Sequence, residues 1–106
     1  MCTVLLAYKK ISGWPLVVAN NRDEFFQRRA LPPRVYAADR ELRGMRWIAS
    51  CDLIGGGSWW GCNSQGLLVW LTNRWTEDEF ATGRRSRGEI VTELLHCPGP
   101  AAARLK

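Results

Sequence analysis

Cys2 is the first residue in the sequence whose type could do covalent chemistry. Removal of Met1 would leave a thiol and a free α-amino group on this one residue. The α-amino group has a reference pKa of about 7.7 to 8.0 and the thiol one of about 8.5, so the amine can accept the thiol proton near neutral pH. Cys2 is therefore a candidate nucleophile that carries its own base. The alternative is an incidental small residue at the second position.

Polar residues that could support this thiol follow the second apolar segment of the chain. A β-hairpin with its turn near residues 11–12 places Cys2 across from Asn21, with Arg22 and Asp23 within diagonal reach. The Arg22 guanidinium would favour the thiolate, and the Asp23 carboxylate could hold the α-amino group. The alternative interpretation is a solvated strand end with local ion pairs.

A second predicted hairpin supplies a further candidate group. The segments Ser58–Cys62 and Leu67–Thr72 flank turn residues 63–66, and this spacing places Asn73 near Gly56–Gly57. Because glycines let a ligand approach the backbone N–H groups, they form a candidate oxyanion site together with Asn73. Alternatively, the glycines are a flexible entry to the strand and Asn73 is a turn residue.

The elements that must position these residues predict an α+β domain. The first hairpin pairs Thr3–Tyr8 with Leu16–Ala19. Residues 28–46 are rich in Arg, Pro and Ala, and the prolines at 32–33 remove two backbone donors. That segment is expected to be a surface loop or crossover. One helix is predicted near residues 86–96.

The start and the end of this helix are marked in the sequence. Ser86-Arg87-Gly88-Glu89 matches a capping box and precedes an apolar stripe at helical spacing. Cys97-Pro98-Gly99-Pro100 ends the helix. Ala101–Lys106 begins another helix, and the sequence ends before that helix could bury anything. We therefore expect a single domain over residues 1–106 that is incomplete at its C-terminus.

Composition excludes several classes of protein. With 106 residues, 46% apolar and 24% charged, the chain is one globular domain rather than a fibre or a disordered tail. Its four cysteines form no C-x-x-C pair and accompany a single histidine, so no metal site is predicted. The N-terminus lacks the pattern of a signal peptide and no segment has membrane-spanning length. We expect a cytoplasmic protein with reduced thiols.

Charge and aromatic residues raise two further possibilities. The net charge is +5, and 12 of the 15 basic residues are arginine, which suits an anionic ligand. Trp59-Trp60 with Arg74 and the cluster Arg84, Arg85 and Arg87 could form a stacking and phosphate surface for nucleic acid. The arginines near Ser86, however, flank a helix N-terminus that needs solvated neighbours, so no nucleic-acid partner is predicted. His96-Cys97-Pro98 could offer a thiolate to haem iron, although the end of a helix explains the same residues.

Five short blocks stand in order along the chain. They are Met1-Cys2-Thr3, Ala19-Asn20-Asn21-Arg22-Asp23-Glu24-Phe25-Phe26, Gly56-Gly57-Ser58-Trp59-Trp60-Gly61, Leu71-Thr72-Asn73-Arg74 and Ser86-Arg87-Gly88-Glu89. Together they resemble the NRDE family, the family of transport and Golgi organization protein 2. The ordered run covers residues 1 to about 96 and is far more specific than any single block.

The resemblance implies an N-terminal-nucleophile (Ntn) hydrolase-like fold, an αββα sandwich of which this chain holds the N-terminal part. A more distant likeness to the bile salt hydrolase and penicillin V acylase group implies amide hydrolysis. The implied roles are nucleophile for Cys2, holder of its amine for Asp23, thiol neighbour for Arg22 and oxyanion site for Asn73. In those amidases two residues separate the Arg from the Asp, whereas Arg22 and Asp23 are adjacent here, and a later Asn and Arg are absent. We therefore expect an inactive chain.

The family has also been tied to secretory-pathway organisation and to intracellular haem handling. This implies the alternative, a non-catalytic intracellular carrier or trafficking protein. The expected partner is either a small-molecule amide or a hydrophobic anionic ligand such as haem, with no cofactor in the first case. Half of a sandwich would also leave an apolar sheet face uncovered, including some of Trp59, Trp60, Trp70 and Trp75, so self-association is expected.

Overall fold

A computed structural model of the chain describes residues 2–37, 44–73 and 85–105. These segments form two antiparallel sheets and two short helices, which is compatible with the predicted α+β class. The strands are β1 (Thr3–Ile11), β2 (Trp14–Asn21), β3 (Ala30–Ala37), β4 (Arg46–Asp52), β5 (Trp60–Asn63) and β6 (Leu68–Trp70), and the helices are α1 (Gly88–Leu94) and α2 (Pro100–Ala103).

The first sheet is the two-stranded hairpin of β1 and β2, as predicted, but its register differs by one residue. Thr3 pairs with Asn21, so continuing the ladder places Cys2 opposite Arg22 rather than opposite Asn21. The turn lies later than expected, at residues 12–13, and the register shifts between Tyr8 and Ile11. Since opposite residues of a ladder share a face, Cys2 and Arg22 belong to one side of the hairpin.

The second sheet has the strand order β3-β4-β5-β6, and its first pair contradicts the predicted loop over residues 28–46. Pro32-Pro33 do remove backbone donors, but they lie at a register shift between Leu31 and Arg34. In addition, β3 is an edge strand, where a missing donor costs little. The prediction of a loop, which rested on the two prolines, therefore missed β3 and with it the pairing of β3 with β4.

The second predicted hairpin is confirmed as β5 and β6. Trp60 pairs with Trp70, and the N–H of Leu71 donates to the carbonyl of Trp59 at 2.8 Å. The ladder ends with the pair Trp60–Trp70, and Asn73 lies three residues beyond it, so the place of Asn73 beside Gly56–Gly57 stays a prediction.

Helix α1 covers the second sheet and forms the core of the described structure. Val91 and Leu95 are 1% and 0% exposed and pack with Ala49 of β4. The predicted helix over residues 86–96 exists, but its regular part is shorter. Helix α2, which the sequence predicted to begin near Ala101, is a single turn with no buried residue.

The predicted capping box at the start of α1 does not form. Ser86 Oγ accepts a hydrogen bond from the N–H of Gly88 at 3.3 Å, but the Glu89 carboxylate is bound by Arg85 at 2.7 Å. The Glu89 carboxylate therefore accepts from an arginine four residues earlier. In a capping box it would accept from the backbone N–H at the start of the helix.

Asn63 ties the end of α1 to the turn between β5 and β6. Its side chain is buried, and Nδ2 donates to the carbonyls of Leu95 and Cys97 at 2.9 and 2.8 Å. Its Oδ1 accepts from the N–H groups of Gln65 and Leu67 at 3.1 and 3.0 Å. One amide thus satisfies backbone groups of two elements, a role that the sequence showed only as turn chemistry.

Candidate functional site

Three of the four predicted site residues lie at the open end of the first hairpin. Cys2 is half-buried and precedes β1, while Arg22 and Asp23 follow β2. Asn73 is exposed and follows β6 of the other sheet. The chain therefore brings Cys2, Arg22 and Asp23 to one region through the ladder of a single hairpin, and Asn73 belongs to a separate element.

The guanidinium of Arg22 reaches away from the hairpin to the second sheet. Its Nη2 lies 3.0 Å from Asp52 Oδ2, and its Nη1 donates to the carbonyl of Arg28 at 3.1 Å. Its guanidinium carbon lies 4.7 Å from the ring centroid of Trp59, which is cation–π distance. Arg22 is thus a link between the two sheets, a role that sequence reasoning did not foresee.

Asp52 is the acceptor for two arginines. Besides Arg22, the Nε of Arg28 donates to the same Oδ2 at 2.8 Å, and Arg28 also contacts Glu24 Oε2 at 3.2 Å. Asp52 is 8% exposed, so this charge is compensated inside the structure rather than by solvent. We call the set Arg22, Glu24, Arg28, Asp52 and Trp59 the arginine clamp.

The protonation of Asp52 follows from these contacts. Burial opposes ionisation and raises the pKa of Asp52. The N–H groups of Gly55 and Ile54, which donate to Oδ1 at 3.0 and 2.9 Å, and the Arg28 guanidinium together outweigh burial and hold the pKa below its ordinary value of 3.8. The Asp52 carboxyl is therefore ionised at neutral pH and supplies the negative charge that Arg22 and Arg28 share.

Asp52 was not among the residues singled out from sequence. It is the only acid between residues 42 and 76, and it stands at a strand end before Gly55-Gly56-Gly57. Asp at that place is typical of an Asx turn, in which the carboxylate accepts from the following backbone N–H groups. That signal predicts the turn, but it does not predict that Asp52 binds Arg22 and Arg28.

The glycines of the predicted oxyanion site have other partners. The N–H of Gly56 donates to the carbonyl of Asp52 at 3.1 Å, so it is not free for a ligand. A Cβ on Gly57 would lie 2.3 Å from the carbonyl carbon of Gly88, and Ser58 N–H donates to Gly88 O at 3.1 Å. The missing side chain of Gly57 therefore admits α1 rather than a ligand.

Asn20 adds a group to the Cys2 side of the hairpin. Its Nδ2 donates to the carbonyl of Thr3 at 3.2 Å. Its Oδ1 is buried and meets no donor among the residues that the structure describes. In the ladder Asn20 pairs with Val4, so it shares a face with the position of Cys2. A buried acceptor without a partner beside a candidate nucleophile could accept from an amine or an amide N–H.

The alternative haem ligand lies elsewhere and is enclosed. Cys97 is 3% exposed, and its carbonyl accepts from Asn63. The ring of His96 meets Trp47 edge-on, with centroids 4.7 Å apart. The two side chains are packed as expected at the end of a helix. Arg74 and Arg84 of the nucleic-acid alternative, and Trp75 of the predicted uncovered sheet face, lie outside the described residues.

The described segments contain no group of three or more His, Cys, Asp or Glu that could hold a metal ion. None of the helices in residues 2–37, 44–73 and 85–105 is long and apolar enough to cross a membrane.

Fold and site together define an α+β protein with a half-buried cysteine and an Asn-Arg-Asp-Glu segment at the open end of one hairpin. The family model for transport and Golgi organisation 2 matches residues 1–104, and the chain belongs to this family. The transport and Golgi organization protein 2 homologs of Bos taurus and Homo sapiens are 32% and 30% identical to it over 87 residues. These alignments cover 79% of this chain and 29% of each relative. No solved structure matches the chain significantly.

Proposed function

We propose that this chain carries an N-terminal-cysteine site for amide-bond chemistry on an Ntn-hydrolase-like fold, and that these 106 residues alone make adducts there without turnover. The observation that supports the proposal most is the register of the first hairpin. It sets Cys2 at the end of the ladder, opposite Arg22 and next to Asp23, and near Asn20 Oδ1, which meets no donor among the described residues.

The chemical step requires removal of Met1. The α-amino group takes the thiol proton, and the Cys2 sulfur attacks the carbonyl carbon of an amide or activated ester. A carbon–sulfur bond forms, the bond to the leaving group breaks, and the leaving group takes the proton from the α-ammonium. Asp23 holds that ammonium near the sulfur. Release of the acyl group would need further groups that stabilise a second oxyanion, and the matched region covers only 29% of the Bos taurus relative.

Adduct formation tests this proposal. Intact mass shows whether Met1 is absent, and p-nitrophenyl acetate then reports one acetyl group per chain at Cys2 with no sustained release of nitrophenol. Asp23→Asn should slow acetylation by about tenfold. Glu24→Gln is the matched control, since this neighbouring carboxylate pairs with Arg28 instead, and it should leave the rate unchanged. Equal modification of all four cysteines, or equal effects of the two variants, would overturn the proposal.

A second candidate function is a non-catalytic carrier for a hydrophobic anionic ligand such as haem. Large apolar side chains that remain exposed favour it, for example Leu5 and Leu6 at 66% and 52% exposure. Because Cys97 is enclosed, Cys97→Ser should leave the absorption spectrum of added haem unchanged. If the variant loses that spectrum while its circular dichroism stays the same, Cys97 is a haem ligand and the carrier function takes precedence.

A further inference from the structure

The far end of the first hairpin combines exposed aromatic and apolar side chains. We call residues 8–16 the hairpin tip. Tyr8, Ile11, Trp14 and Leu16 are 59%, 48%, 64% and 40% exposed there. At the other end of the hairpin, Arg22 contacts Asp52 and Trp59. Residues 8–16 are all exposed, so among the described residues the tip projects from the end opposite this contact.

The charge of the hairpin has one sign. Lys9 and Lys10 are exposed at the tip, and the sequence contains no acidic residue before Asp23. The Lys9 Nζ lies 5.1 Å from the ring centroid of Tyr8, so a cation and an aromatic ring occupy the same side of the tip. This surface is complementary to an anionic partner.

Both faces of the hairpin are apolar. Leu5 and Leu6 are neighbours in β1, point to opposite faces, and are each more than half exposed at 66% and 52%. Leu6 shares its face with Tyr8 and Leu16. Docking on a protein surface would cover one face and leave the other in water, whereas the interface of a bilayer surrounds an inserted tip on all sides.

The residue types also suit that environment. Tyr and Trp prefer the boundary between headgroups and acyl chains, and lysines contact lipid phosphates from the same depth. The outer edges of a two-stranded ribbon keep unpaired backbone groups, so only the tip can enter, to the depth where polar groups of lipids and water remain available.

We propose that the hairpin tip is a peripheral docking site for an anionic bilayer surface, with Ile11 and Trp14 entering the interface and Lys9 and Lys10 pairing with lipid phosphates. This site lies at the opposite end of the hairpin from Cys2 and does not depend on the chemistry proposed there.

Vesicle flotation with the full 106-residue chain tests this site. One set of vesicles is phosphatidylcholine alone, and in the other about a quarter of the lipid is phosphatidylglycerol. We expect binding to the anionic vesicles that weakens with salt. The double variant Ile11→Ser/Trp14→Ser should bind these vesicles at least about tenfold more weakly. Lys9→Glu/Lys10→Glu should bind at least about 25-fold more weakly.

Val35→Ser is the matched control, because Val35 is 70% exposed on β3 and lies outside the hairpin. It should bind anionic vesicles as the unchanged chain does, and circular dichroism should be the same for every variant. The site is disproved if the unchanged chain does not float with anionic vesicles, or if Val35→Ser weakens binding as much as the tip variants. It is also disproved if sedimentation velocity shows that the tip joins two copies and vesicles do not compete.

Discussion

At the scale of single residues, Asp52 makes the contacts that connect the most parts of the structure. It accepts hydrogen bonds from two arginines on one oxygen and from two backbone N–H groups on the other. Through Arg22 it connects the two sheets, and through Arg28 it holds the segment that follows β2. The Arg and Glu of the Asn-Arg-Asp-Glu segment therefore serve a structural cluster, while Asp23 between them remains the candidate for chemistry.

Asp52→Asn tests the clamp. The amide keeps an oxygen for Ile54 and Gly55 but removes the negative charge, which leaves the Arg22 side chain, 16% exposed, without its counter-ion. We expect the free energy of unfolding in urea to fall by about 3 kcal/mol. Glu93→Gln is the control, because Glu93 is 54% exposed where it pairs with Arg85, and its loss should lower the free energy of unfolding far less. Equal losses would mean that the clamp contributes no more than a surface ion pair.

The same residue gives the clamp a pH dependence of known sign. The pKa of Asp52 is lower in the folded chain than its ordinary value, so its ionised form stabilises the fold. This contribution is complete above the ordinary pKa of 3.8, which applies to the unfolded chain, and is lost as pH falls through the lower folded value. The difference in unfolding free energy between the original chain and Asp52→Asn should therefore be constant near neutrality and shrink below about pH 4. A difference that instead grows with acid would contradict this assignment.

At the scale of elements, the sequence predicted both hairpins and α1 because each has local signals: turn residues, alternation and a helical stripe. It missed β3 and β4, since the bulge at Pro32-Pro33 and an edge position are tertiary features that a proline count cannot show. It predicted Cys2 opposite Asn21, but the turn lies at residues 12–13 and the register shifts between Tyr8 and Ile11, so the ladder continues to Cys2 opposite Arg22. Asp52 was missed because its partner Arg22 lies 30 residues away.

The contact between Gly57 and α1 yields a prediction for elements. Gly57 has a φ of 70°, and an added Cβ would lie 2.3 Å from the carbonyl carbon of Gly88. Gly57→Ala should lower the free energy of unfolding by about 3 kcal/mol, because α1 must move away from the sheet. Gly56→Ala is the matched control, with a φ of 68° and nothing within 4 Å of its Cβ. It should cost about 1 kcal/mol for the backbone conformation alone. Urea denaturation of both variants decides whether the close approach or the dihedral matters.

At the scale of the whole molecule, the two sheets of the described chain differ in how many buried side chains stabilise them. The second sheet and α1 contain the buried residues Ala49, Val91 and Leu95, while the large side chains of the first hairpin are mostly exposed. The Cα radius of gyration is 14.8 Å, whereas a compact domain of this length has about 13 Å. The hairpin therefore relies on its own ladder and on the arginine clamp more than on a core.

Hydrogen exchange should resolve these parts in one molecule. A two-stranded sheet without a covered face opens at low cost, so amides of β1 and β2 should exchange at least about a hundredfold faster than those of β4 and β5, which open only with the core. Asp52→Asn should speed exchange at the end of β2, because the link from Arg22 to the second sheet is lost. The comparison is made at two protein concentrations, since self-association would bury the hairpin and protect it. Equal protection of both sheets in dilute solution would mean that the hairpin is held by contacts other than the clamp, and protection that rises with concentration would identify a second copy as its cover.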